Sequence, residues 1–247
     1  APAGEQPTAG SLHAMLARRY GAYLKHVVKP FFRDHFSRLD RQIVLMDALS
    51  ALNHGADGLG DLSRAMETVL AAFRPGANTW MSSIFRRRVD RIVFAATKAD
   101  HLNHQSHDRL ESLLRALAAP AIERAAAKGA DVKVLALAAL RATREAEAKS
   151  GNERLPCIVG TPLKGERIGK TTFDGKTETA LFPGDLPDDP SKLLASSGKA
   201  AKQEHDIRAV KFRPPKLTLQ TGGGAEPAFP HIRLDRALQF LIGDDLA

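Results

Sequence analysis

Three continuous apolar runs alternate with segments in which apolar residues recur every three or four positions. A continuous apolar run is typical of a parallel strand that helices cover on both faces. Apolar residues at every third or fourth position indicate amphipathic helices. This order predicts β–α–β units and an α/β fold with a parallel sheet. The predicted strands cover residues 43–46, 91–96 and 132–138.

The first predicted helix begins at Ser11, whose hydroxyl can accept a hydrogen bond from a backbone N–H of the first turn. Pro30 is expected to end this helix because proline lacks the N–H that continues the ladder. The apolar residues between these two positions have a helical period and predict one buried face. They are Leu12, Leu16, Tyr20, Tyr23, Leu24, Val27 and Val28.

The long helix predicted after the second strand starts near Asp108. Asp108 and Glu111 have the spacing of a capping box, in which two side chains satisfy free N–H groups of the first turn. Pro120 is expected to kink or split this helix, and Gly129 is expected to stop it.

The character of the chain changes near residue 150, where glycine, proline and polar residues become frequent and apolar runs become short. Two short strands are predicted at 155–159 and 179–182, and a polar loop at 192–205. A helical period returns at 232–242 and predicts a terminal helix that docks on the core. We therefore expect a flexible start at 1–10, the C-terminal part of an α/β domain at 11–150, and a β-rich extension with a terminal helix at 151–247.

Composition narrows the class of protein. The chain has 36 basic and 28 acidic residues, a net charge of +8, and 43% apolar residues. A single cysteine, Cys157, excludes an internal disulfide and indicates a reducing compartment. It lies in an apolar strand, so we expect it in the core rather than in a catalytic site. No apolar run approaches the 20 or so residues of a membrane span. The aromatic residues are not interleaved with basic ones, and the basic cluster 86–88 leads into a strand, so the pattern does not favour nucleic-acid binding.

The most specific local motif is Thr97-Lys98-Ala99-Asp100, directly after the second strand. It is similar to the guanine-specificity motif of GTP-binding P-loop proteins. A carboxylate at Asp100 can accept hydrogen bonds from the guanine N1–H and exocyclic amine, which adenine does not offer. The stem of Lys98 can cover the base and ribose, and Thr97 can tie the loop to the phosphate side. The alternative is a solvated turn in which Asp100 makes a local cap.

A second motif is the apolar run that ends at Asp47. It resembles a Walker B strand, whose acid orients Mg²⁺ beside the γ-phosphate, usually through water. A carboxylate that merely caps the following helix is the alternative.

Two other patterns resemble functional motifs but lack part of what those motifs require. His101, His104 and His107 have a spacing that can bring imidazoles together around zinc, but no cysteine or carboxylate completes the set. The segment 165–171 is similar to a P-loop, G-x-x-x-x-G-K-[ST], but is one residue short and lacks a helical pattern behind it. We therefore predict a hairpin at this segment.

Taken together, several segments of the chain resemble the YcjX-like family of bacterial P-loop proteins of the GTPase-like class. The resemblance covers nearly the whole chain from residue 11. The segments that carry it are 19–20, 28–36, 39–47, 51–53, 97–101, 107–111, 182–185 and 233–238.

The resemblance implies GTP or GDP binding. It implies that Asp47 is the catalytic acidic residue and lies near Mg²⁺, and that Thr97, Lys98 and Asp100 lie at the guanine base. It implies that Ala138 lies in the loop that backs the base. Family proteins carry an N-terminal Walker A loop, and this chain has none. With no initiator methionine and no apolar leader at its start, we expect an incomplete P-loop NTPase-like core from a longer protein.

Two functions follow as expectations. The first is a fragment of a stress-linked GTP/GDP-binding P-loop protein that hydrolyses nucleoside triphosphate only in its full-length form. The resemblance implies a cytoplasmic location and an inner-membrane protein as partner. The second is a non-enzymatic, degenerate nucleotide-binding scaffold at an anionic membrane surface. An upstream Walker A loop would discriminate between the two.

Overall fold

The contacts of the chain divide it into two compact units, residues 1–40 with 75–89 and residues 41–74 with 90–247. The basic cluster 86–88 and the predicted loop 192–205 lie outside the described residues. The computed structural model describes residues 8, 10–35, 39–72, 89–150, 153–189, 207–215 and 229–246.

The first unit contains one long helical run. Helix α1 (Leu12–Tyr23) begins as predicted, with the Ser11 hydroxyl accepting from the Ala14 N–H at 3.1 Å. A π-helical turn (Leu24–Val28) then leads into α2 (Lys29–Asp34). The prediction that Pro30 ends the helix is wrong. Pro30 lies in the first turn of α2, where a helix does not require that N–H.

The buried face predicted for α1 is also wrong, because none of its residues is buried in the structure. A helical period identifies which side chains share a face, but it does not show what covers that face. Five large apolar side chains of α1 and the π-helical turn are each more than half exposed, and they are Leu12, Leu16, Tyr20, Tyr23 and Val27.

The second unit is built on a three-stranded parallel sheet, as the apolar runs predict. Strands β1 (Arg41–Met46), β2 (Arg91–Ala96) and β3 (Asp131–Ala136) lie in the order β1-β2-β3. Their register aligns Met46 with Ala96 and Ala96 with Ala136. The three strands therefore end flush, and the residues that follow them meet at one edge of the sheet.

Four α-helices of the described residues lie between these strands. They are α3 (Ala48–Asn53), α4 (Gly55–Ala72), α5 (His107–Leu117) and α6 (Ala119–Ala127). The predicted split at Pro120 is confirmed, because the chain breaks helical geometry at Ala118 between α5 and α6. Gly129 adopts a φ of +81° just beyond α6, which confirms the stop.

The capping box predicted at Asp108 and Glu111 is wrong. Helix α5 begins at His107 without a side-chain cap. The Glu111 carboxylate instead accepts from the Ala136 N–H at 2.9 Å and pairs with the Arg233 guanidinium. Glu111 therefore joins α5 to the end of β3 and to the C-terminal segment.

The terminal helix α7 (Leu234–Ile242) docks on the sheet, as predicted. Ala237 and Leu241 pack against Val93, Ala95 and Leu135 of the two strands β2 and β3. The prediction that β1 is buried on both faces is wrong. Ile43 and Leu45 share this face by register, but they are 40% and 59% exposed because α7 covers the neighbouring strands.

The extension after the sheet is antiparallel. Strand β4 (Arg144–Ser150) pairs with β5 (Glu153–Gly160), which pairs with β8 (Thr179–Leu181). Strands β5 and β8 correspond to the two predicted short strands, whereas β4 was not predicted. Cys157 is buried on β5 as expected. No helix of the described ranges combines the length and apolar character needed to cross a membrane.

Candidate functional site

Three of the predicted site residues meet at the carboxyl edge of the parallel sheet. Asp47 follows β1, and Thr97 and Lys98 follow β2. In open α/β sheets this edge is where ligands bind, because loops and helix N-termini surround a crevice there. The flush register of the strands brings these residues together across 51 positions of sequence.

Asp47 performs two structural tasks with its two carboxylate oxygens. Oδ1 accepts from the Ser50 N–H at 3.1 Å and so caps α3. Oδ2 forms an ion pair with the Lys98 ammonium, and both side chains are between one third and two fifths exposed. The local cap weighed above is therefore present, but the second oxygen binds a charged residue of the candidate motif.

The Asp47 carboxylate has the hard oxygen donors that Mg²⁺ prefers, and it lies where solvent reaches it. Within the described ranges, no three His, Cys, Asp or Glu side chains form a metal cluster. This donor set suits an ion held mainly by water and phosphate oxygens, with Asp47 as its contact to the protein.

Lys98 has an unusual backbone. Its φ of +63° and ψ of +34° lie in the left-handed region, which a residue with a Cβ adopts at a cost of roughly 1–3 kcal/mol. The next residue, Ala99, donates its N–H to the Leu137 carbonyl at 3.1 Å and so anchors the turn to the end of β3. The turn therefore presents the Lys98 side chain at the sheet edge beside Asp47.

Thr97 joins the first two strands. Its N–H and its hydroxyl both donate to the Met46 carbonyl, at 2.8 and 3.2 Å. These bonds hold the turn that carries Lys98 next to the residue preceding Asp47.

Asp100 is only 4% exposed. Its Oδ2 accepts from the Ala142 N–H at 2.8 Å, and its carbonyl accepts from the Thr143 hydroxyl. The buried Asp100 therefore fastens its own loop to the loop after β3. Each carboxylate oxygen carries two lone pairs, so these contacts leave acceptor capacity on the side chain.

Ala138 lies in the segment after β3, next to Leu137, whose carbonyl accepts from the Ala99 N–H. It is buried, and it exchanges both backbone hydrogen bonds with Ile232, at 3.1 and 2.8 Å. This bridge aligns the segment before α7 with the loop after β3. The backbone of Ala138 is thus engaged within the protein.

The three histidines make separate contacts rather than one metal site. The His104 imidazole pairs with Glu145, and the buried His107 donates from Nε2 to the Ala99 carbonyl at 2.9 Å. His101 is buried edge-on against Phe212, with ring centroids 5.1 Å apart, and its Nδ1 has no hydrogen-bond partner within the described ranges.

Burial lowers the pKa of His101 and His107, and the charge of Asp100 offsets the shift at His101 only in part. A histidine with a lowered pKa in the folded state stays neutral below about pH 6.5, where the unfolded chain takes up a proton. Stability should therefore fall with acid below that pH.

We expect the free energy of unfolding to fall by up to about 1.4 kcal/mol per buried histidine between pH 7.5 and 5.5. His101→Phe should reduce this dependence, since it removes the titrating group and keeps the ring beside Phe212. Urea unfolding at pH 7.5 and 5.5 measures this change in the free energy of unfolding. His13→Phe, at an exposed position of α1, serves as the control, and an equal acid loss in both variants would contradict the assignment.

The P-loop-like segment 165–171 forms the predicted hairpin. Strands β6 (Arg167–Ile168) and β7 (Thr171–Thr172) are antiparallel, with Gly169 and Lys170 as the two-residue turn. Gly169 adopts a φ of +58°, which such turns require. Lys170 therefore lies on a β-turn without a helix N-terminus behind it.

Sequence reasoning missed two contacts that position the site. The Asn53 side chain, at the end of α3, exchanges two hydrogen bonds with the backbone of Ala209, at 2.7 and 3.1 Å. Phe212, in the same segment, covers His101. Polar and aromatic residues at these positions are compatible with many roles, so no local pattern signals contacts this distant in sequence.

Comparison with known proteins gives a consistent family. The profile of the YcjX-like family, DUF463, matches residues 1–246. A protein of Escherichia coli K12 called Ras-like GTPase YcjX is 35% identical over 232 residues, which are 94% of this chain and 45% of that protein. A protein of the same name from Shewanella oneidensis MR-1 is 32% identical over 235 residues, 94% of this chain and 44% of that protein.

The chain thus spans a little under half the length of these curated relatives. The profile match covers all residues but the last, including the three strands and both motifs at the sheet edge. Together with the α/β fold, this match confirms the resemblance drawn from the sequence: the chain belongs to the YcjX-like family.

Proposed function

We propose that this chain is part of a GTP/GDP-binding P-loop protein that hydrolyses nucleoside triphosphate in its full-length form. The observation that carries the proposal is the Asp47–Lys98 ion pair at the carboxyl edge of the sheet, with Lys98 in a left-handed turn. Strained residues of this kind are concentrated at functional sites. The names of the two curated relatives support the same class of activity.

Each residue of the site has a proposed role. Asp47 holds Mg²⁺ through water, and the ion when bound neutralises charge on the β- and γ-phosphates. The Lys98 stem covers the base and ribose, and Thr97 holds that turn in place. Asp100 accepts from the guanine edge, and the loop that contains Ala138 backs the base. Nucleotide binding would separate Lys98 from Asp47, so that the ammonium and carboxylate each serve the ligand.

The phosphate-binding loop is proposed to lie outside residues 1–247. Support comes from the curated relatives, which are about twice as long as the stretch they share with this chain. We accordingly propose that residues 11–150 complete a P-loop core together with that segment, with 1–10 as a flexible start. In this proposal residues 151–247 are an added β-rich unit with its terminal helix.

The family resemblance also suggests a cytoplasmic protein linked to stress responses, with an inner-membrane protein as partner. An alternative is a non-enzymatic scaffold that binds an anionic membrane surface, which the net charge of +8 favours. The two proposals differ in one measurable property, because only the first requires guanine-nucleotide turnover.

The test is nucleotide binding and turnover by the complete gene product beside the 247-residue chain. We expect the complete product to bind a fluorescent GDP analogue, to prefer guanine over adenine nucleotides, and to hydrolyse GTP with Mg²⁺. The 247-residue chain should not hydrolyse GTP measurably, because phosphoryl transfer depends on groups around the β- and γ-phosphates that this chain lacks.

Two outcomes would contradict the proposal. Turnover by the 247-residue chain that is abolished by Asp47→Asn would show that no further loop is needed. Absence of nucleotide binding by the complete product, together with binding to anionic vesicles, would favour the scaffold.

A further inference from the structure

A cleft of about 400 Å³ opens in the extension. Its walls come from the segment 141–144 before and at the start of β4, the end of β5 at 159–161, and the segments 176–178 and 213–215. None of the nucleotide-site residues discussed above lines it. The volume lies within the range of pockets that bind small molecules.

The charge of this cleft is strongly positive. Among the residues that the structure describes, four cationic side chains line it against a single carboxylate, that of Glu178. The whole chain, by contrast, has 36 basic against 28 acidic residues. The four cationic residues are Arg141, Arg144, Lys176 and Arg213.

Two of these cations already have acid partners. Arg144 pairs with Glu178 at 3.0 Å, and Arg141 lies 3.5 Å from Glu145. The side chains of Lys176 and Arg213 are exposed, and neither has an ion pair with an acid of the described ranges. Like charges gathered without counter-charges raise the local potential, which an anion would lower.

The backbone that carries the two unpaired cations is held in place. The Arg213 N–H donates to the Thr161 carbonyl at 2.8 Å. The N–H groups of Thr177 and Lys176 both donate to the Asp174 carboxylate, at 2.9 and 2.7 Å, and they lower the pKa of Asp174 to about 2. A site whose segments are already ordered loses little entropy when a ligand binds.

The floor of the cleft is equally constrained. A Cβ on Gly160 would lie 2.8 Å from the Phe212 ring, so the glycine permits this close approach. Thr143 and Ala142, which also line the cleft, are the residues that hold Asp100. The cleft is therefore a built part of the fold rather than a gap between mobile side chains.

The chemistry of the lining identifies the class of ligand. Guanidinium groups bind phosphate oxygens with paired hydrogen bonds, and lysine adds a point charge. No aromatic side chain of the described residues lines the cleft, so base stacking is not the recognition that this lining favours. We propose that this cleft is a second anion-binding site, which takes a soluble ligand through its phosphate groups and uses Lys176 and Arg213 as its main contacts.

The test is calorimetric titration of the 247-residue chain with inorganic tripolyphosphate, without metal ions. We expect saturable binding, and about tenfold or greater weakening in the double variant Lys176→Gln, Arg213→Gln. The control is Lys149→Gln, Arg154→Gln, which removes the same charge from exposed positions of β4 and β5 outside the cleft. Equal weakening in both double variants would show that binding depends only on the net charge of the chain, and it would overturn the proposal.

Two further arms separate the sources of binding. Lys98→Gln should leave tripolyphosphate affinity unchanged. A loss of affinity in this variant would place the anion at the carboxyl edge of the sheet and overturn the proposal. Co-sedimentation with vesicles containing phosphatidic acid tests a lipid phosphate. If the double variant Lys176→Gln, Arg213→Gln weakens binding to vesicles but not to tripolyphosphate, the soluble-ligand proposal is overturned. Weaker binding of tripolyphosphate by this variant supports the proposal.

Discussion

Asp47→Asn is expected to lower GTP hydrolysis by the complete gene product about 10²–10³-fold, the usual loss when one preorganised charged or polar group is removed from a site. Asparagine caps helices as well as aspartate, so the bond that Oδ1 accepts from Ser50 should persist. The variant then removes the negative charge that faces Lys98 and the proposed Mg²⁺ position, and it keeps the cap of α3. Steady-state phosphate release at saturating Mg²⁺ measures the effect.

The control for this prediction is Asp61→Asn. Asp61 lies on α4 with an exposed ion pair to Arg64, and such pairs contribute about 0–1 kcal/mol to stability. Thermal unfolding of both variants should confirm that each is folded. Full turnover by folded Asp47→Asn would remove Asp47 from the catalytic assignment.

Asp100→Asn is expected to weaken GDP binding by about tenfold or more and to shift preference toward xanthine nucleotides. A hydrogen bond to a charged group contributes about 1.5–3 kcal/mol, and an amide presents a donor where guanine presents its amine. Xanthine has a carbonyl at that position and can accept from the new donor. The amide oxygen can still accept from Ala142, so the fold of the loop should persist.

Competition titrations with GDP and xanthosine diphosphate measure this change in the complete gene product. Asp131→Asn provides the control, because Asp131 is an exposed aspartate at the start of β3, the opposite edge of the same sheet. Unchanged GDP affinity in Asp100→Asn would take Asp100 out of the base pocket.

The parallel strands and their helices could be predicted because each follows from a local period. A strand inside a sheet needs apolar residues in succession, and a helix on its face needs them every third or fourth residue. Pro120 and Gly129 acted as predicted, since their effect on backbone geometry is local. Cys157 was also predicted correctly as a core residue.

Three of the wrong predictions, on α1, β1 and Glu111, share a cause, which is that burial and capping depend on neighbours distant in sequence. The apolar face of α1 has the period of a buried face but is exposed. Glu111 has capping-box spacing, but a carboxylate partly buried beside Arg233 and the Ala136 N–H gains more from those partners. Pro30 was tolerated because a π-helical turn places it at the start of a new helical segment.

The amino-acid sequence was sufficient to place Asp47, Thr97 and Lys98 directly after strands, because strands end where apolar runs stop. It also determined the family, because the matched segments cover nearly the whole chain. The contacts of Lys98 with Asp47 and of Asp100 with Ala142, across 51 and 42 positions, form only in the folded chain and had no counterpart in the predictions. The physical reason is that strand register and loop closure are cooperative properties of the packed sheet, which no local pattern contains.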